Sequence, residues 1–157
     1  MIYRAAREQI RAITEMAKLF EECTAHVLVD VEYAIRKYET LFDQGIGYMF
    51  GMEKDGQTVG GLGCIKGEDL HYPRTLLIET FWFVRPEYRG EGIKLMDAFE
   101  LLADELGCDC TAMIHLSDSM PDSLARLYEM RNYELVEKHY IRAKTQNNRF
   151  MRGELCL

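Results

Sequence analysis

The stretch Val84-Arg85-Pro86-Glu87-Tyr88-Arg89-Gly90-Glu91-Gly92-Ile93-Lys94 decides how this chain reads. Before it, Leu76 to Val84 is a nearly continuous apolar run in which Glu79 is the only charge. That composition predicts a strand buried on both faces. After it, Leu95, Phe99, Leu102 and Leu106 recur on one helical face, with Met96 and Ala103 beside them. Gly107 fits the stop of that helix. Glycines let a backbone approach a ligand closely. The first turn of a helix adds unpaired N–H groups and a partial positive charge. A buried strand, a glycine loop and a helix start therefore predict a cradle for a phosphate or pyrophosphate, with Arg89 at its mouth. Lys94 in the first turn is disfavoured by the helix dipole by roughly 0.3–1 kcal/mol, a penalty that a bound polyanion would remove. The loop lacks the Gly-Lys-Ser/Thr of a Walker loop and the Gly-x-Gly-x-x-Gly of a dinucleotide fingerprint. A glycine turn whose charges are simply solvated is the plain alternative.

Outward from this centre, the elements follow closely. Ile2 to Ala5 reads as a short strand. Ile10, Ile13, Met16, Ala17 and Phe20 predict a helix over Glu8–Glu22, and Asp30 caps a second over Val31–Phe42. Tyr48–Glu53 and Val59–Lys66 read as a hairpin about Asp55-Gly56. Downstream, Cys110–His115 reads as a strand and Pro121–Met130 as a short helix started by its proline. Glu134–Arg142 and Phe150–Leu157 are expected to close the sheet. The chain has 157 residues, the size of one domain, and no internal linker or repeat. A mixed α/β domain spanning 1–157 on a central sheet is expected.

Composition bounds the function. The formal net charge is -7, which excludes a broad basic footprint for nucleic acid and leaves room for a local anion pocket. No apolar stretch approaches a membrane span, and the start lacks a basic head and apolar run, so neither membrane nor secretion is expected. Cys23, Cys64, Cys108, Cys110 and Cys156 have no metal or disulfide spacing, so free thiols in a reducing cytoplasm are expected. No metal site is expected.

The central segment resembles the pyrophosphate loop of the GNAT superfamily of acetyl-CoA-dependent N-acetyltransferases, Arg/Gln-x-x-Gly-x-Gly/Ala. Arg89 and Gly92 match its first and fourth positions; Lys94 stands where the sixth is usually small. Val84-x-Pro86-x-Tyr88-Arg89-Gly90 is also similar to the family. Leu127-Tyr128-Glu129 resembles its C-terminal motif, followed here by Arg131-Asn132-Tyr133 in place of Leu-Gly-Phe. The resemblance implies a mostly antiparallel sheet of six to seven strands, splayed between the fourth and fifth and flanked by about four helices. It implies that Trp82, Phe83 and Val84 meet the pantetheine arm of acetyl-CoA. It implies that the amides of Arg89, Gly90, Glu91, Gly92, Ile93 and Lys94 hold its pyrophosphate. Pro121 stands where the family commonly has a cofactor-binding Asn. A homodimer through a sheet edge or the C-terminal strands is also implied.

Acetyl transfer to an amine asks for a base, an oxyanion donor and an acid for the thiolate. Neutralising an amine of pKa about 10.4 at pH 7 costs roughly 4–5 kcal/mol. Glu79, alone in its apolar run, is the first candidate base, because burial raises a carboxyl pKa. The competing reading is a carboxylate paired to a cation or turned to a solvated edge. His115, at the expected end of the fifth strand, is the second candidate, with a structural or surface histidine as its alternative. Tyr128 is the acid by resemblance, with packing as its alternative. No cysteine has an activating histidine beside it, so direct transfer in a ternary complex is expected. Glu21, Glu22, Glu32, Glu39, Glu68 and Asp69 suggest an acidic rim for a cationic primary amine, although an ordinary solvated face fits equally well. Two other classes remain open: a cofactor-binding module without turnover that acts through a partner, and a plain α/β domain.

Overall fold

A computed structural model describes residues 1–22 and 29–140. The chain divides into two units, Met1–Leu19 with Val29–Ile114, and Phe20–Leu28 with His115–Leu157. The first unit carries a five-stranded sheet: β1 (Ile2–Arg4), β2 (Gly47–Lys54), β3 (Gln57–Glu68), β4 (Thr75–Val84) and β5 (Cys110–Ala112). The strands lie in sequence order; the first three pairings are antiparallel and β4 to β5 is parallel. Its helices are α1 (Ile10–Met16), α2 (Val31–Asp43) and α3 (Ile93–Glu105). The described part of the second unit holds α4 (Pro121–Met130).

Local chemistry sets these boundaries. Asp55 and Gly56 both take left-handed backbone, φ 49° and 74°, which closes the β2–β3 hairpin as their sequence predicts. The Asp30 carboxylate accepts the Tyr33 amide at 2.9 Å and starts α2. Gly107, at φ 63°, ends α3: its amide reaches the Asp104 carbonyl and that of Cys108 reaches Ala103.

Each face of the sheet carries its own core. On one, Phe50, Met52, Leu62, Leu77 and Val84 pack with Leu95, Phe99 and Leu102 of α3. Burying each such side chain contributes about 1.5–3 kcal/mol. On the other, Ala5, Ile10, Ile13 and Met49 pack with Tyr38, Phe42 and Phe81. Glycines in β3 permit the close fit there: a Cβ on Gly61 would run into Ile13, and one on Gly63 into the Phe81 ring.

One irregularity matters for the site. Gly63 pairs with Phe81 and Cys64 with Glu79, so Thr80 is an extra residue in β4. Its hydroxyl lies 2.9 Å from that of Tyr38 on α2.

The structure corrects several expectations. The sheet has five strands among the described residues, not six or seven. Residues 134–140 form no strand: all seven positions are exposed, so no alternating face is buried to fix one. Residues 141–142 and the expected strand Phe150–Leu157 lie outside the described residues. The first helix is interrupted, with α1 flanked by 3-10 turns over Arg7–Gln9 and Ala17–Glu22. The Ala17 amide already reaches back to Thr14, which tightens the helix.

Candidate active site

β4 leads from the core into the loop. Phe83 and Val84 are buried and Trp82 is half-buried against the α3 core. Their ladder partners on β3 are Gly61, Gly60 and Leu62. On its other edge, β4 pairs with β5 only through Leu76, Leu77 and Ile78, opposite Cys110, Thr111 and Ala112. Beyond Ile78 the two strands part, so the edge of β4 toward Val84 carries no strand among the described residues. The buried indole Nε1 of Trp82 has no hydrogen-bond partner among them.

The loop itself is a 3-10 turn, Pro86–Glu91, opening directly into α3. Tyr88 anchors it by packing on the core, and its amide donates to the Arg85 carbonyl. Gly90 is open: a Cβ there would meet nothing within 4 Å. Gly92 is the opposite, since a Cβ would lie 3.1 Å from both the Arg89 carbonyl and Val84 Cγ2. The turn thus lies flat on the end of β4 because residue 92 has no side chain. The Gly92 amide donates to Arg89 at 3.0 Å, so it is already engaged within the turn. Ile93 is half-buried; Arg89 and Lys94 are exposed.

Glu91 lies between two lysines. Its Oε1 is 2.7 Å from Lys54 Nζ and its Oε2 is 2.9 Å from Lys94 Nζ. Hydrogen bonds to Lys54 first, and then to Lys94, push its pKa down to about 2. The dipole penalty on Lys94 is therefore offset within the protein. Lys54 ends β2, and sequence reasoning missed it. No local signal pointed to it, since Lys54 reaches this loop only through the β2–β3 hairpin and the pairing of β3 with β4.

Glu79 is 4% exposed, so it has no solvated edge, and it has no cation partner among the described residues. Its Oε2 accepts the amide of Ile114 at 2.8 Å. Burial pushes its pKa up to about 7, partly offset by that hydrogen bond. Opposite it, the buried Cys64 thiol is pushed up to about 12, chiefly by burial. That leaves Cys64 neutral and inert.

In the second unit, His115 and Tyr128 come together edge to face, their ring centroids 5.9 Å apart. His115 does not end a strand as expected, because β5 stops at Ala112. Its Nε2 is buried without a hydrogen-bond partner among the described residues. The Tyr133 ring lies 5.8 Å from that of Tyr128. Asn132 takes left-handed backbone at φ 61°. Its amide donates to Glu129 and that of Tyr133 to Tyr128, the bonding of a glycine-type helix stop. Asn132 thus does conformationally what the expected Gly would do.

Three of the six rim carboxylates are paired. Glu32 is bound to Arg11, Glu39 to Arg7 and Asp69 to Arg74. Glu22 lies where no side chain is described. Tyr48 and Phe50 serve the fold: the Tyr48 hydroxyl donates to the Gly45 carbonyl, and Phe50 is core. A cavity of about 400 Å³, lined by Arg4, Phe42, Gly47 and Tyr48 among others, lies at the start of β2, the end opposite Lys54. Among the described residues no group of His, Cys, Asp and Glu is arranged to hold a metal, and no helix is long and apolar enough to cross a membrane.

The parted strands, the flat glycine turn and the helix behind it agree with a wider comparison. The pattern of the acetyltransferase (GNAT) family matches residues 10–133. The chain belongs to the GNAT acetyltransferase family. No curated protein matches the sequence. Solved structures share the GNAT fold at low identity. An aminoglycoside acetyltransferase from an uncultured soil metagenomic sample superposes with a TM-score of 0.72 at 13% identity, over 92% of this chain and 98% of that one. A predicted acetyltransferase from Clostridium acetobutylicum, solved with acetyl-CoA, gives 0.71 at 14% identity, over 91% and 95%. A ribosomal-protein-alanine N-acetyltransferase from Brucella melitensis gives 0.64 at 19% identity, over 91% and 99%.

Proposed function

We propose that this GNAT acetyltransferase moves an acetyl group from acetyl-CoA to a primary amine, by direct transfer in a ternary complex. The observation that carries the proposal is the parting of β4 from β5 beyond Ile78, with the glycine turn at the end of the same strand. A strand edge that β5 does not cover can offer backbone N–H and C=O groups to an extended amide-bearing arm.

The residues present fit that cofactor. Gly90 leaves the surface of the turn uncovered, and Gly92 keeps the turn against Val84. The first-turn amides of Ile93 and Lys94 point a helix N-terminus at an anion. Arg89, Lys94 and Lys54 supply positive charge around it. Trp82, Phe83 and Val84 present the strand edge. Acetyl-CoA supplies an activated thioester.

The chain's own groups then handle protons. Glu79 takes the amine proton, directly or through water, on Oε1, the oxygen not engaged with Ile114. A pKa of about 7 suits a base working near neutrality. Tyr128 donates its phenolic proton to the departing sulfur, and the ring of His115 against it holds its orientation. The paired rim residues argue for an acceptor selected by shape and local contacts rather than by a broad acidic field. Two departures from the family pattern no longer favour a module without turnover. Asn132 takes the backbone conformation of the missing Gly, and Glu91 offsets the helix-dipole penalty on Lys94.

Thiol release from acetyl-CoA with a panel of amines, with products identified by mass spectrometry, tests the reaction. Binding is tested first by thermal shift. A ligand at about 100 times its dissociation constant stabilises by roughly 2.7 kcal/mol. No shift with acetyl-CoA or with CoA would refute the proposal.

A further inference from the structure

The parallel ladder between β4 and β5 stops at Ile78 and Ala112. The next backbone donor with a partner on β4 is the Ile114 amide, and what it meets is a side chain: the Glu79 carboxylate, at 2.8 Å. Backbone pairing would hold the strands roughly 4.8 Å apart. A carboxylate on a two-methylene stem, inserted between them, holds them farther apart.

We infer that Glu79 is a strut: its side chain spans the point where β5 leaves β4 and sets the width of the gap. Its link to the cofactor arm rests on the acetyl-CoA reading above; the strut itself does not.

Three observations support this. First, a buried carboxylate is costly, and the structure keeps one here at 4% exposure with no cation partner among the described residues. An apolar side chain of similar size would remove that cost and leave the Ile114 amide without its acceptor. Second, Glu79 sits immediately before the extra residue Thr80, which the Tyr38 hydroxyl holds from α2. The strand is therefore fixed on its other face at the same level. Third, Ile114 is the last residue of the first unit. The strut thus grips the last backbone amide of the first unit.

The role differs from that of a base, and two conservative variants separate them. Glu79→Gln keeps the length and an accepting carbonyl but cannot take a proton. Glu79→Asp keeps the carboxylate but is one methylene too short to span the gap. Amide hydrogen exchange at Ile114, followed by NMR in the unliganded protein, reads the strut directly. Calorimetric titration with CoA reads its consequence. Exchange at Ile114 is expected to be within about threefold of wild type in Glu79→Gln and at least about tenfold faster in Glu79→Asp, as expected for loss of one structural hydrogen bond. CoA affinity should follow the same order, retained in Glu79→Gln and weakened about tenfold in Glu79→Asp. Equal exchange at Ile114 in all three proteins overturns the proposal, and so does unchanged CoA affinity where Ile114 is released. If the wild-type protein binds no CoA, the acetyl-CoA reading fails and takes the gap-setting role with it, while the exchange data still report on the Glu79–Ile114 bond by itself.

Discussion

The Glu91 carboxylate lies 2.7 Å from the ammonium of Lys54, a residue 37 positions earlier that ends β2. With Lys94 on its other oxygen, Glu91 is an internal anion placed where the glycine turn meets α3. Under the acetyl-CoA proposal, an incoming pyrophosphate would compete with it for both lysines.

Removing that competitor should tighten cofactor binding. Glu91→Gln is expected to lower the Kd for CoA by about 2–5-fold, and Lys54→Ala or Lys94→Ala to raise it by a similar factor, as exposed charge pairs allow. Titrations at two salt concentrations check the cause, because the differences should shrink at high ionic strength. Tighter binding in Lys94→Ala would instead mean that this side chain crowds the turn.

Glu79 makes stability depend on pH. Its folded pKa of about 7 lies above that of an exposed carboxyl, so its contribution is fully present below about pH 4 and is lost as pH rises through 7. The other titratable groups facing this position are Cys64 and Tyr38, both pushed up to about 12 and neutral in this window. Relative to Glu79→Gln, the wild-type protein should therefore lose about 3 kcal/mol between pH 4 and 8. Urea unfolding of both proteins across that range measures it. Parallel curves would show that Glu79 does not titrate there.

Tyr128→Phe keeps the ring against His115 and Tyr133 and removes only the phenolic proton. The expected outcome is a fall in kcat of about 10²-fold or more with little change in the Kd for CoA. Steady-state rates with the best amine found, combined with CoA titration, check it. Undiminished turnover across pH would remove Tyr128 from the mechanism.

Asn132 should tolerate Gly and resist Ala. In left-handed backbone a Cβ costs roughly 1–2 kcal/mol, which Asn partly recovers and Gly avoids. Asn132→Ala is expected to destabilise by about 1 kcal/mol, and Asn132→Gly to be neutral or slightly stabilising. Denaturant midpoints for α4 unfolding, followed by circular dichroism, decide between them.

Much of this was legible from residues close in sequence. The α2 cap at Asp30, the hairpin at Asp55-Gly56, the α3 stop at Gly107 and the proline start of α4 depend on short-range chemistry, and each lies where the pattern put it. The apolar run Leu76–Val84 announced a buried strand, and its lone charge marked Glu79 as unusual. What the sequence did not disclose depends on partners distant along the chain. Lys54 meets Glu91 only because three strands bring the hairpin beside the end of β4. The fifth strand ended early because the Ile114 amide found a carboxylate instead of a backbone carbonyl. The apolar residues of 134–140 suggested a strand, but all of them are exposed, and alternation alone does not supply a neighbour to pair with.

The extra residue at Thr80 has a further consequence. Upstream of it, the odd-numbered Leu77 belongs to the core under α3; downstream, the even-numbered Trp82 and Val84 do. β4 is thus written in two phases, and the change of phase falls beside Glu79, where the strands part. Deleting Thr80 would merge them into one, turning either the first half of the strand or the last half inside out. The single added residue lets one strand keep its core face in phase both where β5 covers its edge and where β5 does not.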